Sequence, residues 1–156
     1  IGAKYFLKCD WYALLSADFL SNDEQKLKLR STTRSGMGKY WVHSNKMFLT
    51  TGTGLAWNNE QYTTLDQSSR NSLEAFVGFG YNMFDFDDIS LNTNLVAYPS
   101  ITESGRIRAD YTLDLKYDLP LDFFIQLGFT YNYDNQPVEG GSSVDYVIQA
   151  TFGWEL

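Results

Sequence analysis

Apolar and polar residues alternate along most of this chain, and the longest stretch of it, two runs joined by a very short turn, spans Arg106 to Asp134. In its first half Ile107, Ala109, Tyr111, Leu113, Leu115 and Tyr117 share one parity, while Arg106, Arg108, Asp110, Asp114, Lys116 and Asp118 share the other. A period of two sends successive side chains to opposite faces of a β-strand, so one face is apolar and the other charged. In the second half Phe123, Ile125, Leu127, Phe129, Tyr131 and Tyr133 oppose Asp122, Gln126, Gly128, Thr130, Asn132 and Asp134, and only Phe124 breaks the pattern.

The same alternation predicts strands over 11–20, 25–42, 47–61, 68–84, 89–98, 106–118, 123–134 and 143–156, preceded by a strand stub at Lys4–Leu7. The segment 25–42 is the least regular, with Gly36 and Gly38 marking a bend or bulge. No helical period separates one strand from the next, which excludes βαβ units. The expectation is a single all-β domain over 1–156, an antiparallel up-and-down barrel of about eight strands, because closure removes the sheet edges that no helix is present to cover. The start at Ile1, without Met, reads as a mature form or a fragment, and the stub implies further strands upstream.

Alternation does not say which face is inside. A soluble calyx turns its apolar face inward and an outer-membrane barrel turns it outward. Strand length favours the second: these strands run about 10–17 residues against roughly five or six in soluble sheets, and a tilted membrane strand needs roughly 9–11. The connections also alternate. Those at 8–10, 43–46, 85–88 and 119–122 are tight, whereas those at 21–24, 62–67, 99–105 and 135–142 are longer and more polar. Outer-membrane barrels place short turns at the periplasm and long loops outside. Finally, Gly52, Gly54, Gly78, Gly80, Gly128 and Gly153 share the parity of the charged residues, as a crowded interior requires. Trp11, Trp41, Tyr117, Tyr131, Tyr133 and Trp154 lie near strand ends, where aromatic girdles form.

Composition narrows the function. A net charge of −7 leaves no basic excess for phosphate, so nucleic acid is not an expected partner. Cys9 is the one cysteine, which excludes an intrachain disulfide. No run approaches about 18 consecutive apolar residues, so no transmembrane helix is expected.

The run from Tyr117 to Leu156 resembles the end of a Gram-negative family of unknown function, the salt-induced outer-membrane proteins. The resemblance is carried by Tyr131, Tyr133, Asp134, Pro137, Gly140, Asp145 and the close at Leu156. Upstream, the elements Phe6–Tyr12 and Arg34–Tyr40 are similar as well, so it spans nearly the whole chain. It implies an integral protein of the Gram-negative outer membrane, with lipid and lipopolysaccharide around it and the barrel-assembly machinery as its biogenesis partner. The sequence departs from outer-membrane habit in ending on Leu156, where Phe or Trp is usual.

No catalytic group, cofactor or metal stands out. His43 is the sole histidine and falls in a tight turn, where a surface role is expected. Asp85, Asp87 and Asp88 lack the twelve-residue ligand spacing of a calcium loop. The charged inner face is the candidate functional feature: Arg30, Arg34, Glu74, Arg106, Arg108, Asp110, Asp114, Lys116, Asp118 and Asp145 are expected to line the barrel, joined by Lys26, Lys28 and Glu155. With eight strands side chains just fill such a lumen. The charges then form either a salt-bridged plug or a narrow pore with a basic outer mouth, and Arg70 is a candidate rim contact for lipopolysaccharide phosphate. The expected role is structural or that of a minor channel, without enzymatic activity. The alternatives are an envelope-lipid-modifying barrel enzyme and a soluble calyx for an apolar ligand.

Overall fold

A computed structural model describes residues 1–22, 27–62, 69–137 and 139–155. They form one antiparallel sheet of nine strands in sequence order. The strands are β1 (Gly2–Phe6), β2 (Trp11–Asn22), β3 (Leu27–His43), β4 (Met47–Tyr62), β5 (Ser69–Phe86), β6 (Ile89–Pro99), β7 (Ile107–Asp118), β8 (Phe123–Asp134) and β9 (Val144–Trp154). The only helical element among the described residues is a single 3₁₀ turn, Pro120–Asp122. No helix there is long and apolar enough to cross a membrane, which says nothing of strands. The expected loop residues Asp23 and Glu24, most of the expected loop 62–67, and Lys26 and Leu156 lie outside the described residues.

The tight turns follow from backbone chemistry. Cys9-Asp10, Asp87-Asp88 and Leu121-Asp122 each place two consecutive residues at positive φ, the conformation that joins antiparallel strands without splaying them. The third expected tight turn moves accordingly. Asp87 and Asp88 suffice for it, so β5 runs on to Phe86, which pairs with Ile89. His43 likewise belongs to β3, opposite Phe48, because a register shift after Tyr40 absorbs one extra residue.

The sheet is strongly rolled. Side chains meet across strands that are far apart in the ladder: Arg30 of β3 lies 3.6 Å from Asp134 of β8, and Asn22 of β2 donates to Asp145 of β9 at 2.7 Å. The roll does not close as the sequence led one to expect. Among the described residues no ladder joins β9 back to β1 or β2. The reason is parity and length. Nine strands, each antiparallel to the next, leave β1 and β9 running the same way, and β1 pairs only with residues 12–16 of β2.

The roll sorts the two faces. Leu15, Phe19, Leu55, Trp57, Val77, Leu127, Ile148 and Phe152 point outward and are exposed. Ser16, Arg30, Thr32, Asn58, Glu60, Glu74, Arg108 and Asn132 point inward and are buried. Glycine allows the tightest part of the curl. Gly36 and Gly38 of β3 face Gly54 and Gly52 of β4, and the Tyr12 ring occupies the space where a Cβ of Gly38 would stand, 2.2 Å away. Phe76 fills the corresponding space over Gly36 and Gly54, and Phe124, the residue that breaks the alternation, lies inward against Gly153. Among the described residues Ala56, Phe76, Val96 and Tyr98 form the larger of two buried apolar clusters, the other being Leu27 and Tyr62.

Candidate functional site

The interior charges gather in tiers, beginning at the end of the roll that carries the longer loops. Arg106, in the loop before β7, is the hub. Its Nη2 donates to both carboxylate oxygens of Glu60 at 2.9 Å and to Asp134 Oδ2 at 2.5 Å, and its Nη1 donates to Glu103 at 2.8 Å. Arg30 Nε donates to Glu60 Oε1 at 2.6 Å, and the Tyr62 hydroxyl donates to Glu60 Oε2 at 2.5 Å. Arg70 pairs with Glu103 and donates to the Gln136 carbonyl at 3.0 Å. Burial weakens the charge of Arg106, but hydrogen bonding to Asp134 and the attraction of Glu60 and Asp134 outweigh it, so its pKa is raised and it stays ionised. Three arginines thus meet three carboxylates, and the planar guanidinium fork suits each bidentate contact.

The next tier is built on β5 and β7. Arg108 Nε and Nη2 donate to the two oxygens of Glu74 at 3.0 and 2.6 Å, and the guanidinium lies 4.8 Å from the Tyr98 ring centroid. Ser72 donates to Glu74 at 3.0 Å, and Thr32 donates to Asn58 at 3.0 Å. Beside this tier, Arg34 of β3 donates to Asp18 at 2.5 Å, to Ser16 at 3.1 Å and to the Tyr98 hydroxyl at 3.1 Å. Removing charges from water costs several kcal/mol per ion unless each finds such partners. That is why the chain carries these pairs on one strand parity.

At the tight-turn end the interior becomes aromatic. Tyr40 stacks on Phe6 and His43 and packs against Tyr12 and Phe48. Lys4 lies 4.8 Å from the Tyr12 ring centroid. On the outer surface nearby, Lys39 reaches over the rings of Trp11 and Trp41.

The ten residues singled out from sequence share the inward face, but they do not form one site. Arg30 and Arg106 join the upper network, Arg108 pairs with Glu74, and Arg34 pairs with Asp18. Lys116 sits at the tight-turn rim between Asp118 and Glu155, at 3.0 and 2.7 Å. Asp145 meets Asn22, and Asp114 lies 3.5 Å from the Asn92 amide. Asp110 lines an interior cavity.

Three expectations change. Among the described residues no basic outer mouth forms, because Arg30, Arg70 and Arg106 at that end are each paired with a carboxylate. Arg70 is not a free rim cation, since its guanidinium ties the 100–106 loop to the Gln136 carbonyl. Lys28 is exposed rather than inward: the register shift between Leu27 and Leu29 makes it the extra residue of a bulge and turns Leu27 inside instead. Asp18, Glu60, Glu103 and Asp134, the counter-charges, were missing from the sequence-derived set. Glu60 shares the inward parity of Gly52, Gly54 and Asn58, which was the available signal, but it lies in a polar run where the alternation fades.

His43 stacks on Tyr40, and the neighbouring Ser44 hydroxyl donates to the Met47 carbonyl at 3.0 Å. Among the described residues no group of three or more His, Cys, Asp or Glu side chains is placed to hold a metal ion. In comparison with known proteins, a family described as "Protein of unknown function, DUF481" matches residues 1–155. No curated protein and no solved structure matches the chain.

Proposed function

The chain belongs to that family of unknown function, DUF481, and from this premise we propose that it is an integral β-barrel of the Gram-negative outer membrane with a structural role. The observation that carries the reading is the inversion of its faces: apolar side chains such as Val77, Leu127 and Ile148 are exposed on the outside of the roll, while Glu60, Glu74, Arg106 and Arg108 are buried within it. In water that arrangement exposes a continuous apolar surface far larger than monomeric soluble proteins tolerate. In a bilayer it is the stable one. The Lys39 contacts with Trp11 and Trp41 suit a membrane interface at the tight-turn end.

In hydrocarbon an unpaired strand edge costs several kcal/mol for each unsatisfied backbone group, so this reading includes pairing of the edges along the seam between β9 and β1–β2. The mouth on the long-loop side is filled by the Arg106, Glu60, Asp134 and Arg30 cluster, which favours a structural barrel over an open pore. A calyx for an apolar ligand would need an apolar interior throughout, and the long-loop half of this interior is ionic. The test is membrane fractionation with heat-modifiable gel mobility. Recovery in the outer membrane with a shift on boiling is expected; recovery as a soluble, non-shifting protein would reject the reading.

A further inference from the structure

Below the arginine cluster the inner face of the roll borders two open spaces. The first, of about 240 Å³, is bordered by Arg30, Arg34, Asp18 and Asp110. The second, of about 450 Å³, is bordered by Asp114, Asp145, Thr130 and Gln149. Leu20 and Asn132 border both, so the two adjoin, and together they make an open chamber that reaches the seam beside β9.

The charges around this chamber are not balanced. Each inward-facing cation beside it is already paired: Arg30 with Glu60, Arg34 with Asp18, Arg108 with Glu74, and Lys116 with Asp118 and Glu155. Among the described residues neither Asp110 nor Asp114 has an ion-pair partner within 4 Å, and Asp110 borders the smaller space, which Arg30 and Arg34 also border. The larger space is bordered, among the described residues, by two carboxylates, Asp114 and Asp145, and by no cation. Gly128 borders it as well, and a Cβ built there would meet nothing nearer than 3.4 Å, so the glycine leaves room beside Asp114 that packing does not use. Walls of low dielectric concentrate such a field rather than screening it.

We propose that this chamber is an aqueous vestibule that accumulates small monovalent cations, inorganic or organic, and repels anions. Its negative sign is the reverse of the basic mouth that the sequence suggests, because the arginines are neutralised in pairs and the surplus aspartates are not. The inference goes beyond the barrel reading and rests on it only for closure of the seam.

The test is charge-selective thiol modification of the full chain in detergent and in liposomes. In a Cys9→Ser background, Thr130→Cys places one thiol in the larger space, and Ser104→Cys places one in an exposed loop as the reference. The ratio of modification rates by a cationic and an anionic methanethiosulfonate reagent is expected to be about tenfold higher at Thr130→Cys than at Ser104→Cys. Adding Asp110→Asn, Asp114→Asn and Asp145→Asn should bring it to within about twofold of the reference. Equal ratios at the two thiols, a preference for the anionic reagent, or a Thr130→Cys thiol that neither reagent reaches would overturn the proposal. If Thr130→Cys fails to fold, Gln149→Cys on β9 reports on the same space. A clear cationic preference in a protein recovered outside the outer membrane would reject the barrel reading and leave this one standing.

Discussion

Arg106 Nη2 lies 2.9 Å from both carboxylate oxygens of Glu60, a residue 46 positions earlier in the chain. Both side chains are fully buried. That contact links the loop before β7 to the far end of β4 across the roll, and it anchors Arg30, Asp134, Glu103 and Tyr62 around it. The long-loop end of the sheet is therefore held by ionic hydrogen bonds, beside a small apolar cluster of Leu27, Tyr62 and Leu20.

Replacing Arg106 with Ala leaves Glu60 and Asp134 buried and facing one another with less compensation. The expected loss is about 3–5 kcal/mol, read as a lower urea midpoint for unfolding in liposomes. Arg106→Lys should recover only part of it, because an ammonium cannot reproduce the forked contacts to Glu60 and Asp134. Full recovery by lysine would mean that charge alone, not the fork, holds the mouth.

The Arg108–Glu74 pair offers a cleaner cycle, since each oxygen of Glu74 accepts one guanidinium nitrogen. Either Arg108→Met or Glu74→Gln alone is expected to cost about 3–5 kcal/mol, and the double variant is expected to cost less than the sum of the two. Strict additivity in denaturant titrations would show that the two residues do not act as a unit.

Two inward glycines should respond in opposite ways. At Gly38 an added Cβ meets the Tyr12 ring at 2.2 Å and the Thr51 carbonyl at 2.6 Å, so Gly38→Ala is expected to destabilise by about 1–3 kcal/mol. At Gly78 the nearest atom is 3.7 Å away, so Gly78→Ala should be neutral or stabilising by up to about 1 kcal/mol. The boiling temperature that abolishes the folded gel band reports both.

An outward charge separates the membrane setting from a soluble one. Val77 is 59% exposed on the outer face and sits near the middle of β5. Val77→Arg is expected to cost about 2–4 kcal/mol of folding free energy in lipid vesicles. An unaffected folding yield in vesicles would count against a lipid-facing surface.

The turn before β8 holds Leu121 at φ 66, a left-handed conformation that costs an ordinary side chain about 1–2 kcal/mol. Leu121→Asn is expected to relieve part of that strain and to raise the unfolding midpoint of the protein by an amount equivalent to about 0.5–1 kcal/mol. No change, or a fall, would show that the exposed Leu121 side chain contributes more than the backbone strain costs.

Much of the architecture was legible in the residues alone. Alternation is a property of adjacent positions, so it located eight strands and assigned Leu113 and Leu127 to one face and Asp114 and Gly128 to the other without knowledge of what surrounds them. The turn residues did the same for the tight end. Where the pattern misled, a local insertion was responsible: the bulge at Lys28 reverses parity for a residue or two, and no single-strand rule anticipates it.

The rest was decided by the curvature of the sheet. Which face is inside, whether the edges meet, and which carboxylate answers which arginine all depend on residues brought together from β3, β4, β7 and β8. Sequence parity placed Arg30, Arg34, Arg106 and Arg108 on the inward face together with Glu74, Asp110 and Asp114, but it could not say which carboxylate answers which arginine, because it reads each strand by itself. The rolled sheet supplies Glu60, Glu74, Asp18 and Asp134 opposite them. Burial then makes each pairing obligatory, since an unpaired guanidinium costs more inside the roll than any neighbour in sequence could offset.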